Sequence, residues 1–223
     1  MARPQRIHFE GALFHITARG NDRQQTFRVD RDFQRYLQTI ETCKKKLPFT
    51  LYAFALMPNH VHLLIEVGKY GIDKVMHRIQ TAYTMYFNKK HGHTGHVFEG
   101  RYHWFLVDKD SYLLELIRYI HLNPVRAGLV DDPKNYPWSS HGAYLDGRHA
   151  QVSLLAREAA LALFSSNPDK QVTAYQEFIF GGMGSQWDDV LPKPVWGHVV
   201  GTEKFMEKIE RKVRKMMLPG AYK

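Results

Sequence analysis

The sequence predicts an α+β protein: a ferredoxin-like antiparallel sheet with helices on one face, followed by a helical C-terminal extension. Three observations support this fold class. Apolar residues make up 44% and charged residues 24% of the 223 residues, as in a folded globular chain. Strand and helix patterns then alternate as two strand–helix–strand halves with a further helix. From Val152 onward only helical patterns are found.

The first half of the sheet is predicted from alternation and turn residues. A strand over Ala12 to Ala18 ends in the turn-forming run Arg19-Gly20-Asn21-Asp22. Apolar residues at helical spacing predict a helix from Asp30, a suitable cap, to Lys46. Two strands follow, Thr50 to Met57 and Val61 to Val67, with a short hairpin connection between them.

The second half repeats this order. A long helix is predicted over Ile72 to Lys90, a fourth strand over Tyr102 to Val107, and a helix over Ser111 to Leu122. Pro124 lies just past the end of that last helix, where a proline commonly follows.

The remaining residues form a smaller helical part. Helices are predicted over Leu154 to Phe164, Ala174 to Phe180 and, basic and amphipathic, Glu203 to Met217, with a glycine-rich joint at Gly181 to Ser185. We expect a catalytic domain over residues 1–145 and an extension over 146–223. Whether the extension packs onto the sheet is left open by the sequence.

Charge and composition narrow the class of protein. A formal net charge of +9 favours a polyanionic partner, above all nucleic acid. The single cysteine, Cys43, excludes an intramolecular disulfide and a cysteine-rich zinc module. The N-terminus lacks the apolar segment of a signal peptide, and no apolar run approaches the ~20 residues of a membrane span. These features predict a cytoplasmic protein without membrane association.

Two histidines on one strand are the first candidates for chemistry. His60 and His62 alternate with Val61, so both point to the same face of the predicted strand. At strand spacing they stand ~7 Å apart along the chain and can converge on one metal ion. The alternative is a pair of half-buried polar residues at a strand end.

A tyrosine on the last helix of the sheet domain is the second candidate. Leu113, Leu116, Ile117 and Ile120 form the predicted buried stripe. Tyr119 lies off this stripe, on the same side as Asn123 one turn later. Taken alone, Tyr119 is better explained as a tyrosine at the edge of the core than as a nucleophile.

These residues carry a resemblance to a known family. His60-Val61-His62 and Tyr119 resemble the HUH single-strand DNA transposases with one tyrosine, and most of all the REP-associated tyrosine transposases of bacteria. The resemblance covers about the first 145 residues. Its segments are Ala2-Arg3-Pro4, Phe14 to Asn21, Leu56 to His62, Gly95 to Tyr102, Arg118 to Gly128 and Trp138-Ser139-Ser140.

The resemblance implies an enzyme that nicks and joins single-stranded DNA folded as a palindromic hairpin of REP type. Tyr119 would attack phosphorus and form a 5′-phosphotyrosine. A divalent cation, Mg²⁺ or Mn²⁺, would be held by His60, His62 and, by position, Asn123. The similarity to the longer members of this group implies a monomer rather than a dimer. It also implies a protein of the bacterial cytoplasm that associates with the nucleoid.

Seven basic residues and one asparagine that we expect to contact DNA cluster around the site. They are Arg19, Asn21, Arg23, Arg78, Lys89, Lys90, Arg101 and Arg126. Aromatic residues among them could stack on bases, although core packing is the better explanation for Tyr83 and Phe98.

Several alternatives remain at this point. The chain could bind hairpin DNA or RNA without cutting it, or hydrolyse DNA through water with a structural Tyr119. His91, His93 and His96 could form a second metal cluster, although DNA-backbone contact is the preferred role. The base for Tyr119 is open: His121 points about 200° away around the helix, and Glu115 is a weak candidate.

Overall fold

The computed structural model describes residues 7–184 and 192–217, of which the last three are described by backbone alone. Ala2-Arg3-Pro4, from the family resemblance, and Ser185, from the predicted joint, lie outside the described residues. The strands are β1 Leu13–Arg19, β2 Phe49–Met57, β3 His60–Val67, β4 His103–Val107 and β5 Val199–Val200. The helices are α1 Asp30–Lys46, α2 Ile72–His91, α3 Lys109–Arg126, α4 His141–Leu145, α5 Arg157–Leu161, α6 Pro168–Phe180 and α7 Glu203–Met217.

The predicted fold class is confirmed. The sheet has the order β2-β3-β1-β4-β5, and its first four strands are antiparallel neighbours. The crossovers β1-α1-β2 and β3-α2-β4 each join parallel strands separated by one strand. Right-handed connections of this kind place both helices on the same face, and α1 and α2 pack on one another, with the Cys43 thiol donating to the Val75 carbonyl at 3.7 Å.

The second face of the sheet is covered by α3. The expectation that helices cover one face therefore holds for α1 and α2, and α3 adds a layer that the expectation lacked. The physical reason is that β2 and β3 are buried along nearly their whole length, so both of their faces need a cover. On this side His121 of α3 hydrogen-bonds Ser140, whose hydroxyl donates to the carbonyl of Phe54 in β2.

The bounds of the first seven elements agree with the prediction within one or two residues except at α3. This helix continues to Arg126 and contains Pro124, which was expected to lie beyond its end. A proline in the final turn removes only one helical hydrogen bond. In that turn the carbonyl of Tyr119 accepts from the side chains of Asn123 and Arg126, each at 2.8 Å.

The C-terminal extension packs onto the sheet. β5 pairs in parallel with β4, where the backbone N–H groups of Leu106 and Asp108 donate to the carbonyls of His198 and Val200 at 2.8 Å. α5 is shorter than predicted, α4 was not predicted, and α6 begins earlier, at a proline capped by Asn167. The division into domains at residue 145 stays a prediction.

The described helices were also compared with the requirements of a bilayer span. None of them combines the length and the apolar character that crossing a membrane demands.

Candidate active site

The two histidines of β3 lie on the face that α3 covers. His62 is directly opposite Thr17 of β1, and His60 is opposite Arg19. Their ring centroids are 5.0 Å apart and the rings are nearly perpendicular, at 81°. The strand therefore presents both imidazoles to one region, at the end of β3 next to the hairpin turn.

Each imidazole is held within the protein through Nδ1. Nδ1 of His60 lies 2.7 Å from Oδ1 of Asn59, and Nδ1 of His62 lies 3.1 Å from Nε2 of His15. Ligand imidazoles in metal sites are commonly oriented in this way by a partner on the second nitrogen. In both residues Nε2 is thus the atom available to a ligand.

Burial keeps these imidazoles neutral. It lowers the pKa of His60 to about 4, and the positive charge of Arg19 acts in the same direction. The pKa of His62 is also lowered well below its usual value, first by burial and then by neighbouring positive groups. Because both pKa values are lowered, both imidazoles are neutral at neutral pH. The neutral imidazole is the form that binds a metal ion.

Tyr119 reaches this pair from α3. Its half-buried ring packs edge-on against His62, with centroids 5.9 Å apart, and against His15, with centroids 5.8 Å apart. The guanidinium of Arg126 lies over the same ring, 4.9 Å from its centroid. His62 and Tyr119 are 57 positions apart in the sequence. The packing of α3 on the sheet therefore brings the proposed nucleophile to the histidines of β3.

Asn123 follows one turn after Tyr119 on α3. Its amide nitrogen donates to the Tyr119 carbonyl at 2.8 Å, which fixes the orientation of the amide. Within residues 7–184 and 192–217, no three His, Cys, Asp or Glu side chains form a metal-binding group. A cation here would thus depend on two imidazoles and neutral oxygen donors, a set compatible with Mg²⁺ or Mn²⁺ when solvent or phosphate oxygens complete the shell.

His15 is a component of this site that the sequence analysis missed. It is 3% exposed, and its ring lies between His62 and Phe105, both of them nearly parallel to it. The signal was present: His15 alternates with Ile16 on β1 as His62 does with Leu63 on β3. What was missing was the pairing of the two strands, which brings the two histidines together.

The two candidate bases for Tyr119 are both engaged elsewhere. Glu115 forms an ion pair with Arg118. His121 is fully buried on the other side of the helix, 2.7 Å from the hydroxyl of Ser140. The expected separation of His121 from Tyr119 around the helix is therefore found.

A buried polar network surrounds His121. Nδ1 of His121 lies 2.8 Å from the hydroxyl of Tyr175 in α6, which also hydrogen-bonds Nδ1 of His141 in α4. His121, Ser140, His141 and Tyr175 are each 1% exposed or less. Through this network the extension contacts the helix that carries Tyr119.

Four of the basic and polar residues expected to contact DNA lie around the turn after β1. Arg19 and Arg23 are exposed, and the amide of Asn59 donates to the Arg23 carbonyl at 3.4 Å. The Asn21 N–H donates to the Val97 carbonyl at 2.9 Å. The N–H of Glu99 donates to the carbonyl of Arg19 at 2.8 Å. Arg101, two residues after Glu99, is exposed and lines a groove between its own loop and α2.

Of the other residues expected to contact DNA, only Arg126 lies at the site, over the ring of Tyr119. Three more lie on α2, away from the histidines of β3. Arg78 lines the groove between α1 and α2, on the opposite layer. Lys89 is exposed at the end of α2, and Lys90 is paired at 2.8 Å with the buried carboxylate of Asp32. Tyr83 and Phe98 are buried in the core, as expected.

The three histidines at and just after the end of α2 do not form one cluster. His91 hydrogen-bonds Asp32 at 3.0 Å, His93 lies 3.0 Å from the amide oxygen of Asn88, and His96 is exposed. Their separate contacts give no support to a second metal site in this loop.

Comparison with known proteins places the chain in a family. The family model described as transposase IS200-like matches residues 9–123, just over half of the chain. The chain belongs to this family. The match includes His60, His62, Tyr119 and Asn123, and the IS200-like chain is accordingly an enzyme of the transposase class.

Two relatives agree with this membership. The transposase is 29% identical over 156 residues to a protein of Haemophilus influenzae described as a REP-associated tyrosine transposase, covering 63% of this chain and 85% of the relative. It also shares its fold with a solved REP-associated tyrosine transposase bound to a REP hairpin, at a TM-score of 0.56 and 21% identity, covering 67% and 88% of the two chains. The resemblance predicted from the sequence is confirmed.

Proposed function

We propose that this IS200-like transposase is a metal-dependent single-strand DNA endonuclease and strand transferase that forms a 5′-phosphotyrosine on Tyr119. The observation that carries the proposal is the edge-on packing of the Tyr119 ring against His62, with centroids 5.9 Å apart. It joins a nucleophile on α3 to a pair of neutral imidazoles on β3. The net charge of +9 suits a nucleic-acid substrate.

The proposed substrate is palindromic hairpin DNA of REP type. The relative from Haemophilus influenzae is named for REP association, and the solved structure with the same fold holds a REP hairpin. Arg19, Asn21, Arg23 and Arg101 would contact the strand near the site, with Arg126 beside Tyr119. Arg78, Lys89 and Lys90 would contact DNA farther from it, on the α2 layer.

In the proposed reaction the phenol oxygen of Tyr119 attacks the scissile phosphorus. A P–O bond to Tyr119 forms as the bond from phosphorus to the 3′-oxygen breaks. The phenol proton is lost to solvent and the leaving 3′-oxygen gains a proton. The products are a 5′-phosphotyrosine and a free 3′-OH, and attack by a 3′-OH on the phosphotyrosine reverses the step without ATP.

His60 and His62, through Nε2, and the amide of Asn123 would hold the divalent cation, Mg²⁺ or Mn²⁺. When bound, the cation polarises the scissile phosphate and stabilises the leaving oxygen. Arg126 orients the Tyr119 ring, and the sheet face places the two imidazoles at a constant separation. We further place this chemistry in residues 1–145, with residues 146–223 as an extension, in a monomer of the bacterial cytoplasm that associates with the nucleoid.

The experiment that tests the proposal is incubation of the protein with labelled hairpin DNA and Mn²⁺. We expect a covalent protein–DNA adduct that Tyr119→Phe abolishes, since phenylalanine keeps the ring but lacks the nucleophilic oxygen. Cleavage that survives in Tyr119→Phe would instead establish hydrolysis through water. Tight binding without any cleavage by the wild type would establish a non-catalytic hairpin-binding protein.

A further inference from the structure

We propose that His15 is a positioning residue that sets the tautomer of His62, so that the Nε2 lone pair of His62 faces the cation. The proposal rests on the proposed function, because it concerns the same site. Neither the family membership nor the relatives assign a role to this histidine.

The contact between the two imidazoles is well defined. Nε2 of His15 lies 3.1 Å from Nδ1 of His62, and the ring planes are within 10° of parallel. Both residues are almost fully buried, at 3% and 5% exposure. The shared hydrogen bond is therefore not exchanged for one with bulk water.

The contact is also held by the surroundings of His15. On the side opposite β3, its ring lies nearly parallel to that of Phe105, at 20° and 6.3 Å between centroids. The ring of Tyr119 contacts it edge-on. These neighbours leave the His15 ring little freedom to turn away from His62.

The hydrogen bond has two possible directions with opposite consequences. A neutral imidazole carries one N–H and one acceptor nitrogen. If His62 donates from Nδ1 to Nε2 of His15, the Nε2 of His62 keeps its lone pair and can bind a cation. In the reverse direction the proton of His62 is on Nε2, and this nitrogen then has no lone pair with which to bind a cation.

The first direction is also compatible with a second neighbour of Nδ1, a hydroxyl that can accept as well as donate. The hydroxyl oxygen of Thr17, directly opposite His62 across the strands, lies 3.4 Å from the same Nδ1. A proton on Nδ1 of His62 thus faces an acceptor on His15 and a weaker one on Thr17. The arrangement matches the common role of partners that fix the tautomer of a ligand histidine.

The test uses two substitutions of different chemistry. His15→Phe keeps an aromatic ring between His62 and Phe105 but removes the acceptor. His15→Gln places an amide oxygen near the position of Nε2 and restores it. His77→Gln is the matched control, since His77 is exposed on α2 in the opposite layer.

The first readout is Mn²⁺ binding without DNA, followed by electron paramagnetic resonance. We expect His15→Phe to weaken Mn²⁺ binding about 10- to 100-fold, His15→Gln to recover most of the loss, and His77→Gln to bind as the wild type does. The second readout is NMR of the metal-free protein, in which long-range ¹H–¹⁵N correlations should show the His62 proton on Nδ1, and a shift toward Nε2 in His15→Phe.

Two outcomes would overturn the role of His15: a proton on Nε2 of His62 in the wild type, or unchanged Mn²⁺ affinity in folded His15→Phe. Absence of Mn²⁺ binding by the wild type would instead contradict the proposed metal site. The NMR measurement still tests the direction of the hydrogen bond in that case, so the two failures can be distinguished.

Discussion

The guanidinium of Arg126 lies over the ring of Tyr119, 4.9 Å from its centroid, while its Nη1 donates to the Tyr119 carbonyl at 2.8 Å. One side chain thus contacts both the ring and the backbone of the proposed nucleophile. Only a planar guanidinium with several donors can make both contacts at once. Arg126, expected from the sequence to contact DNA, is therefore in a position to orient Tyr119.

Arg126→Lys should slow formation of the covalent adduct. A lysine cannot stack on the ring and bind the carbonyl together, and losing about 1–2 kcal/mol of such contact corresponds to a rate about 10-fold lower. Single-turnover cleavage of labelled hairpin measures this rate. Arg148→Lys, on an exposed side chain of the extension, is the control. Equal rates for Arg126→Lys and the wild type would exclude the orienting role.

Removal of divalent cations should stop cleavage and leave the fold intact. His60 and His62 are neutral imidazoles with Nε2 available, and Asn123 is the third proposed ligand. We expect EDTA to abolish the adduct, added Mn²⁺ or Mg²⁺ to restore it, and His60→Ala to raise the Mn²⁺ concentration needed for half-maximal cleavage. Circular dichroism monitors the fold. Full-rate cleavage in EDTA would rule out the metal-dependent mechanism.

Acid should destabilise the folded chain below pH 6.5. Burial lowers the pKa of five histidines: His15, His60, His62, His121 and His141. In the unfolded chain they bind protons near pH 6.5, whereas in the folded chain His60 and His141 do so only at about pH 4. Stability is therefore complete above pH 6.5 and declines as pH falls, by about 1.4 kcal/mol per pH unit for each such histidine.

Urea unfolding at several pH values between 7.5 and 5 measures this decline. His15→Gln removes one of the five groups, so its stability should depend less steeply on pH. The exposed His77→Gln should keep the slope of the wild type. A wild-type stability that is constant from pH 7.5 to 5 would contradict the lowered pKa values.

Arg19→Gln should weaken binding of single-stranded DNA and its dependence on salt. Arg19 is exposed and directly opposite His60, so a DNA strand that enters the proposed site would pass beside it. Loss of one phosphate contact makes the negative slope of log K against log salt shallower by about 0.7. Fluorescence anisotropy at several salt concentrations measures both effects, with Arg148→Gln as the control of equal charge change. An unchanged slope would place the DNA elsewhere.

Tyr175→Phe should destabilise the fold by about 1–3 kcal/mol, because it leaves buried imidazole nitrogens without their hydrogen-bond partner. The Tyr175 hydroxyl contacts both His121 on α3 and His141 on α4. Urea unfolding measures this loss of stability. The control is Tyr112→Phe, since Tyr112 is half-buried elsewhere on α3. Equal stability of the two variants would mean that the network contributes little to holding the extension on α3.

The sequence by itself determined the features that depend on local periodicity. Alternation along a strand put His60 and His62 on one face, and helical spacing put Tyr119 and Asn123 on one side of a helix. The order of strands and helices predicted the ferredoxin-like sheet. These relationships involve neighbours within one element, whose geometry the backbone conformation dictates.

Only the tertiary structure decided which elements meet. The pairing of β1 with β3 brings His15 to His62 across 47 positions, and the packing of α3 on the second face brings Tyr119 to both. Tertiary contacts also hold the extension against α3. Strand register and helix packing arise from the burial of apolar faces contributed by distant segments, and no periodicity within one segment contains that information.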